Sequence, residues 1–450
     1  MINTDKIFKI IKGDVISFVG AGGKTSLITA LALSLRKRFS IAITTTTHMY
    51  PVNDEQFQNH MFNNDNSSAA LNNLIKNNRI PVFFSSIDSE GKGLPPTIKD
   101  IQTISSLFDI VLIEADGARG KSLKIPRAHE PVVPDFSKKV FLVIGLDILE
   151  KKISDNLVFH PELFNDKGLN SKIIITWQAL RNILYSPDSY LDKLKGKDIF
   201  LVLNKSDLVD ESVKQSARMM YHESIKSIIL SSTITSELKL EEVTNSNTPV
   251  TGILLAAGRS IRYGSPKLLD TFNSQPLFLH SFKAANESKL DKLLVVVGET
   301  GNELIQTAQK IPNNRAHFIR NHQSADGISS SIKAALKETI KNDPNSAVMI
   351  MLADMPYINA GLINDVLNEF RNSVAPISAP FTHGRNAHPV IFHPLMFPEL
   401  LKLRGDHGGK EIIISHLDMV KKITLASPSS QLDIDTVLDS KGAIYHDKIL

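Results

Sequence analysis

Gly252-Ile-Leu-Leu-Ala-Ala-Gly-Arg-Ser-Ile-Arg-Tyr-Gly-Ser-Pro-Lys267 decides the reading of the second half of this 450-residue chain. Ile253 to Ala256 is a short apolar run and reads as a buried strand. It breaks at Gly258 into a loop that holds Ser260, Arg262, Gly264 and Lys267. Glycine lets backbone N–H groups approach a phosphate, and two cations can then clamp its charge. The loop lacks the Gly-Lys-Ser/Thr ending of a P-loop, so it predicts another kind of triphosphate loop. The competing reading is a basic surface turn after a strand.

Outward from that loop, strands and helices alternate. Leu293–Val297 and Phe318–Asn321 read as strands, and serines 329 to 331 stand where the next helix should start. Ser329 is the candidate there for a base, ribose or phosphate. Ala347–Leu352 is an apolar strand that delivers Asp354 at its carboxyl end, where ligand sites of α/β sheets form. A carboxylate facing a phosphate loop suits Mg²⁺. Asp433-Ile-Asp435 supplies further carboxylates, and Asp435 is expected to converge with Asp354. His388-Pro389 and Gly405-Asp-His-Gly-Gly-Lys410 read as the acceptor side, with His388, Gly405 and Asp406 as the binding residues.

The first half has its own signature. Val15–Val19 reads as a buried strand, followed by Gly20-Ala-Gly-Gly-Lys-Thr25 and a helical stretch from Ser26 to Arg38. In this P-loop-like arrangement the backbone around Gly20, Gly22 and Gly23 would hold phosphates. Lys24 would reach the terminal phosphates and Thr25 would bind Mg²⁺. Phe18 stands where the first glycine of the standard pattern belongs. The apolar strand ending Glu114-Ala-Asp116 offers Glu114 or Asp116 to the same ion. Ile199–Asn204 is a buried strand ending in Asn204-Lys205-Ser-Asp207, which resembles the guanine-reading motif of GTPases. Ser231-Ser232 reads as its supporting loop. Thr44–His48 reads as a switch or substrate site, or as plain strand propensity. Asn53–Asn78 reads as a polar loop with a surface helix, and Trp177 as core.

Composition narrows the class. Apolar residues make up 42% and charged residues 22%, as in ordinary globular proteins. The 51 Lys and Arg against 47 Asp and Glu give a net charge of +4, too slight to argue for nucleic acid or an anionic membrane. The absence of cysteine excludes disulfides, thiolate metal sites and a cysteine nucleophile. No signal peptide and no apolar run of spanning length is legible, so the expected location is the cytoplasm. Length suggests two domains, with the polar stretch Leu238–Thr248 as linker. The expectation is domain one at 1–245 and domain two at 250–450.

Two resemblances cover the chain. Val19–Thr25, Thr44–His48, Glu114–Ala118, His129-Glu-Pro131 and Asn204–Asp207 make the first half resemble the YqeC family of selenium-dependent molybdenum hydroxylase accessory proteins. That implies a pathway more than a chemistry: a P-loop nucleotide-binding domain taking GTP or ATP, with a molybdenum hydroxylase apo-enzyme as partner. Leu255, Ala256, Ala257, Gly258, Ser260, Arg262, Gly264 and Lys267, then Asp354-Met-Pro356, His388-Pro389, Gly405–Gly408 and Asp433–Thr436, make the second half resemble the molybdenum cofactor cytidylyltransferases (MocA). Tyr263 replaces the usual Met, and Gly409-Lys410 replaces Ala-Arg. The resemblance implies a Rossmann-like nucleotidyltransferase fold of the MobA-like type. It also implies CTP, Mg²⁺ and molybdenum cofactor (molybdopterin) as substrates and ion. Arg262, Lys267 and Asp354 would be catalytic, and Ala257, where guanylyl relatives carry Gly, favours CTP over GTP. A guanylyl or sugar-phosphate transferase on the same fold, and a GTP-switched cofactor-delivery chaperone, are the alternatives.

Overall fold

The computed structural model describes residues 4–62, 79–154, 156–165, 173–234, 237–258, 266–299, 301–382 and 385–424. The chain divides into two compact units, Met1–Val243 and Thr244–Leu450. Both are α/β.

The first unit is built on nine described strands in one sheet. In chain order the unit holds β1 (Asp14–Gly20), β2 (Ile41–Thr45), β3 (Phe57–Met61), β4 (Ile80–Phe84) and β5 (Ile110–Glu114). A short pair follows, β6 (Leu123–Lys124) with β8 (Val158–Phe159), around β7 (Lys139–Gly145). Then come β9 (Asp198–Asn204), β10 (Ile225–Ile234) and β11 (Glu237–Glu242). The sheet order is β11-β10-β9-β7-β1-β5-β2-β4-β3. All neighbours are parallel except β10 and β11. Strands β1, β5, β7 and β9 are near-continuous apolar runs, buried along nearly their whole length as strands covered on both faces are. The helix Lys24–Leu35 buries Leu27, Ile28, Leu31 and Leu35 on this sheet. Another, Ile98–Leu107, starts at a reciprocal cap in which Thr97 and Asp100 bond each other's backbone N–H.

Three expectations change here. Part of Asn53–Asn78 is not loop: Phe57–Met61 pairs in register with β4, and 63–78 lie outside the described residues. Much of the expected linker is strand β11, antiparallel to β10, because Leu238 and Leu240 have a core face to cover. Trp177 is half-buried at the start of the helix Trp177–Tyr185, capped by Thr176, with Leu180, Ile183 and Leu184 on the buried side.

The second unit opens on β12 (Val250–Ala256), followed by the small hairpin β13 (Thr271–Phe272) and β14 (Gln275–Pro276). Then come β15 (Lys292–Val297), β16 (Ala316–Arg320), β17 (Ala347–Leu352), β18 (Ile377–Thr382), β19 (Arg385–Asn386), β20 (Val390–Phe392) and β21 (Val420–Thr424). The sheet runs β16-β15-β12-β17-β20-β18-β19, with β21 on β18. The half containing β16, β15, β12 and β17 is parallel, and β20 joins it antiparallel. The sheet is therefore mixed, with β18 and β21 forming a further parallel pair. From β12 the chain goes first to β15 and β16 on one side and then to β17 on the other. The switch point, where such sheets open a crevice at the strands' carboxyl ends, lies between β12 and β17. Val250, Leu254, Val295, Met349 and Met351 form the core with Phe278, Phe282 and Phe370 from the covering helices.

Candidate functional site

In the second unit β12 and β17 run side by side in register from Val250↔Ala347 to Leu255↔Leu352. The pairing continues one step further, where Ala353 N donates to Leu255 O at 3.1 Å. The buried Ser281 hydroxyl donates to Ala353 O at 3.0 Å and fixes that peptide. Asp354 therefore leaves the sheet at a determined point. Its Oδ2 accepts from Lys267 Nζ at 2.7 Å, so the end of the Gly252–Lys267 stretch meets the residues that follow β17. Its Oδ1 is buried with no hydrogen-bond partner among the described residues. His388, before a cis proline, donates from Nδ1 to Ile350 O at 3.4 Å. Burial pushes its pKa below the ordinary histidine value, against smaller opposing effects of that carbonyl and of the Asp354 charge. The Lys267 cation, the Asp354 carboxylate and the His388 imidazole thus stand near one another at the carboxyl ends of these strands.

A second cluster forms around Ser329. Its N–H donates to Gly405 O at 3.1 Å, which brings it to the loop of Gly405 and Asp406. Gly327, with φ +90°, opens that helix, and a Cβ there would lie 2.4 Å from the Gly405 carbonyl carbon and 2.6 Å from Asp406 Oδ1. Asn321, which the sequence did not single out, donates to the Ser330 and Ser331 hydroxyls at 2.8 and 3.0 Å. Ser330 and Ser331 are thus bonded within the fold, and Ser329 is buried. Leu255, Ala256 and Ala257 are buried too, whereas Gly258 is exposed with open space around it. Ser260, Arg262, Gly264 and Asp435 lie outside the described residues. Among the described residues no three His, Asp or Glu side chains gather as a metal cluster.

In the first unit β1 is flanked by β5 and β7, and its carboxyl end carries the glycine loop. Gly20, Gly22 and Gly23 all have positive φ, 89° to 98°. A Cβ on Gly22 would stand 2.1 Å from Gly145 N, so the loop is packed against the end of β7. Three of its N–H groups are already bonded: Gly20 to Asp116 Oδ2, Ala21 to Val143 O and Gly22 to Lys121 O. The helix opens at Lys24 with no side-chain cap on Gly23, which leaves the Gly23–Thr25 turn as the anion-facing end.

The acidic strand splits its work. Thr25 Oγ1 donates to Glu114 Oε2 at 2.8 Å, whereas Asp116 is joined to Lys24 at 3.0 Å. Thr25 and Glu114 together can face a cation, and Asp116 stands with the lysine. Burial raises the Glu114 pKa above its ordinary value, opposed by Lys24 and Thr25 and assisted by Asp116. Asn204 Nδ2 donates to Gly22 O at 2.7 Å and its Oδ1 accepts from Ser231 at 3.0 Å. The Asn-Lys-x-Asp motif is therefore anchored to the glycine loop. Lys205, at φ 60°, donates to Ser122 and Asp147 at 2.8 and 2.9 Å, and Asp207 is exposed. Ser231 and Ser232 belong to strand β10 rather than to a loop. The Thr run is structural in part: Thr44, Thr45 and Thr46 hydroxyls donate to the Phe83, Glu114 and Val132 carbonyls.

Residues 16–162 match the YqeC protein family, and residues 252–420 match the MobA-like NTP transferase domain. The uncharacterized protein YqeC of Escherichia coli (strain K12) is 39% identical over 157 residues, which is 34% of this chain and 59% of that protein. The chain thus spans 59% of the length of that relative. The purine catabolism protein PucB of Bacillus subtilis (strain 168) is 28% identical over 194 residues, covering 41% of this chain and 91% of that one. A probable molybdenum cofactor guanylyltransferase of Thermococcus sibiricus (strain DSM 12597 / MM 739) is 25% identical over 159 residues, covering 35% and 75%. No described helix is long and apolar enough to cross a membrane. The chain carries a YqeC protein domain followed by a MobA-like NTP transferase domain.

Proposed function

We propose that residues 250–450 transfer CMP from CTP to the terminal phosphate of a molybdopterin-type cofactor, releasing pyrophosphate. Residues 1–245 are then a nucleotide-binding accessory domain of the same maturation route, taking GTP or ATP and serving a selenium-dependent molybdenum hydroxylase. The observation that carries the first part is Asp354, bonded to Lys267 on one oxygen and bare on the other, at the switch point of the sheet.

A bare, buried carboxylate oxygen is what a hard divalent cation takes, so the residues fit Mg²⁺. Asp354 would hold it, sharing it with triphosphate oxygens and with Asp435. When bound, the ion supplies neutralisation of the triphosphate charge. Lys267, drawn from Asp354 toward the nucleotide, and Arg262 stabilise charge on the α-phosphate and on the departing pyrophosphate. The acceptor's phosphate oxygen attacks the α-phosphorus in line, and the bond from that phosphorus to the bridging oxygen of the β-phosphate breaks. The attacking oxygen is already ionised, so positioning and electrostatics do the work and no general base is required. His388 and the Gly405–Asp406 loop hold the acceptor.

Ala257 favours CTP, while the guanylyltransferase relative favours GTP on the same site. Pyrophosphate release by Asp354→Ala tests the site. The expected loss is on the order of 10³-fold or more with circular dichroism and Tm retained. Full activity in that variant at saturating Mg²⁺ would remove Asp354 from the reaction.

A further inference from the structure

Lys24 is the lysine of the glycine loop, and its side chain is only 4% exposed. It donates to Gly20 O at 2.6 Å and stands 3.0 Å from Asp116 Oδ1. The fully buried Asp116 uses its other oxygen to accept from Gly20 N at 3.0 Å and from the Tyr190 hydroxyl at 2.5 Å. One carboxylate therefore engages both kinds of group that a bound phosphate engages, a loop N–H and the loop lysine. We propose that Asp116 is a built-in anion that occupies the phosphate loop in the nucleotide-free state, and that nucleotide binds by drawing Lys24 away from it. This rests on the nucleotide-binding reading of the first unit and assigns Asp116 a role other than metal ligand.

The surroundings of Asp116 suit that exchange. Lys124 is fully buried, with its Nζ 3.8 Å from Asp116 Oδ2, and it also pairs with Glu130 at 2.9 Å and donates to Gly117 O at 2.6 Å. While Lys24 is home, it and the buried Lys124 stand against the buried Asp116 and the partly buried Glu130, with the buried Glu114 held by Thr25 alongside. When Lys24 moves to a phosphate, Asp116 keeps the Gly20 N–H, the Tyr190 hydroxyl and the nearby charge of Lys124. A buried carboxylate stripped of all partners would not be tolerated. Tyr190 is wholly buried, and burial followed by the Asp116 charge pushes its phenol well above the usual range, so it remains a protonated donor. Asp116 Oδ1 has Lys24 beside it but no hydrogen bond, so the contact to be broken is Coulombic. Thr25 meanwhile already has Glu114 as its carboxylate, which leaves a cation site intact when Asp116 is otherwise engaged.

The test titrates mant-GTP and mant-ATP, with Mg²⁺, into the full chain, its Asp116→Asn variant and its Tyr190→Phe variant. Asp116→Asn weakens the hold on Lys24, so binding tightens, by roughly tenfold if the held state is nine-tenths populated. Tyr190→Phe takes a donor from Asp116, which then holds Lys24 harder, so binding weakens. Damage to the fold does not produce opposite shifts, and thermal unfolding of each variant checks for it. Weaker or unchanged binding in a folded Asp116→Asn variant overturns the inference while leaving the nucleotide site standing. If Asp116→Asn does not fold, Tyr190→Phe decides: weaker binding at an unchanged Tm supports the inference, and unchanged or tighter binding overturns it. No binding of either nucleotide to the wild-type chain or its variants overturns the inference together with the reading on which it rests.

Discussion

Lys267 and Asp354 are 87 positions apart and meet at 2.7 Å, which makes each the other's counter-charge until a triphosphate arrives. Replacing Lys267 by Ala should lower kcat/KM for pyrophosphate release on the order of 10²–10³-fold, with partial recovery in Lys267→Arg. Steady-state kinetics on the two variants checks this. His388 gives the second unit a pH dependence. Its folded pKa lies below the ordinary 6.5, so its contribution to stability is fully present above that value and is lost as pH falls through the folded pKa. Thermal unfolding of the full chain between pH 5 and about 7.5 should therefore show a loss on the acid side that shrinks in His388→Gln. The strand-end position of Asp354 was legible from an apolar run ending in a carboxylate. The separate partners of Glu114 and Asp116 were not, because two residues one step apart in such a motif are equivalent until Thr25, Lys24 and Tyr190 are brought to them. Tyr190, Lys124 and Asp147 gave no signal at all, since long-range packing alone puts them beside the loop.

At the scale of elements, the glycines grade by what surrounds them. Gly22 and Gly327 both combine positive φ with contacts that a Cβ would violate, 2.1 Å to Gly145 N and 2.4 Å to the Gly405 carbonyl carbon. Gly120 has φ +73° and open space. Gly120→Ala should cost about 1 kcal/mol, the price of a left-handed alanine. Gly22→Ala and Gly327→Ala should cost about 2–4 kcal/mol or more, since backbone rather than a flexible side chain must move. Chemical denaturation of the three variants measures the ordering, and equal costs would contradict it. Strand runs were legible in β1, β5, β9, β12 and β17, buried along nearly their whole length, although the equally buried β4 and β7 were not singled out. Strands β3 and β11 were not, because the polar Phe57–Met61 and Glu237–Glu242 carry an edge-strand composition that reads as loop. The Thr44–Thr46 hydroxyls illustrate the converse. A motif that looks chemical in sequence is partly a set of ties to neighbouring carbonyls.

At the scale of the molecule, two compact units each have a central parallel strand that the sequence follows with a glycine-bearing stretch, Gly20–Thr25 in one and Gly258–Lys267 in the other. The loops differ in pattern, so their ligands can be separated by mutation. Lys24→Ala should abolish mant-nucleotide binding by the first unit and leave pyrophosphate release by the second within about twofold, as expected where each unit's site works independently. A matching loss of both activities would contradict separate sites. The most direct test of the account is pyrophosphate release by the full chain with Mg²⁺ and molybdenum cofactor, given CTP, GTP or ATP in turn. Release is expected with CTP, and little with the other two. Release with GTP alone would keep the site and overturn the product, and no release with any nucleotide would contradict the assignment of the second unit as the transferase.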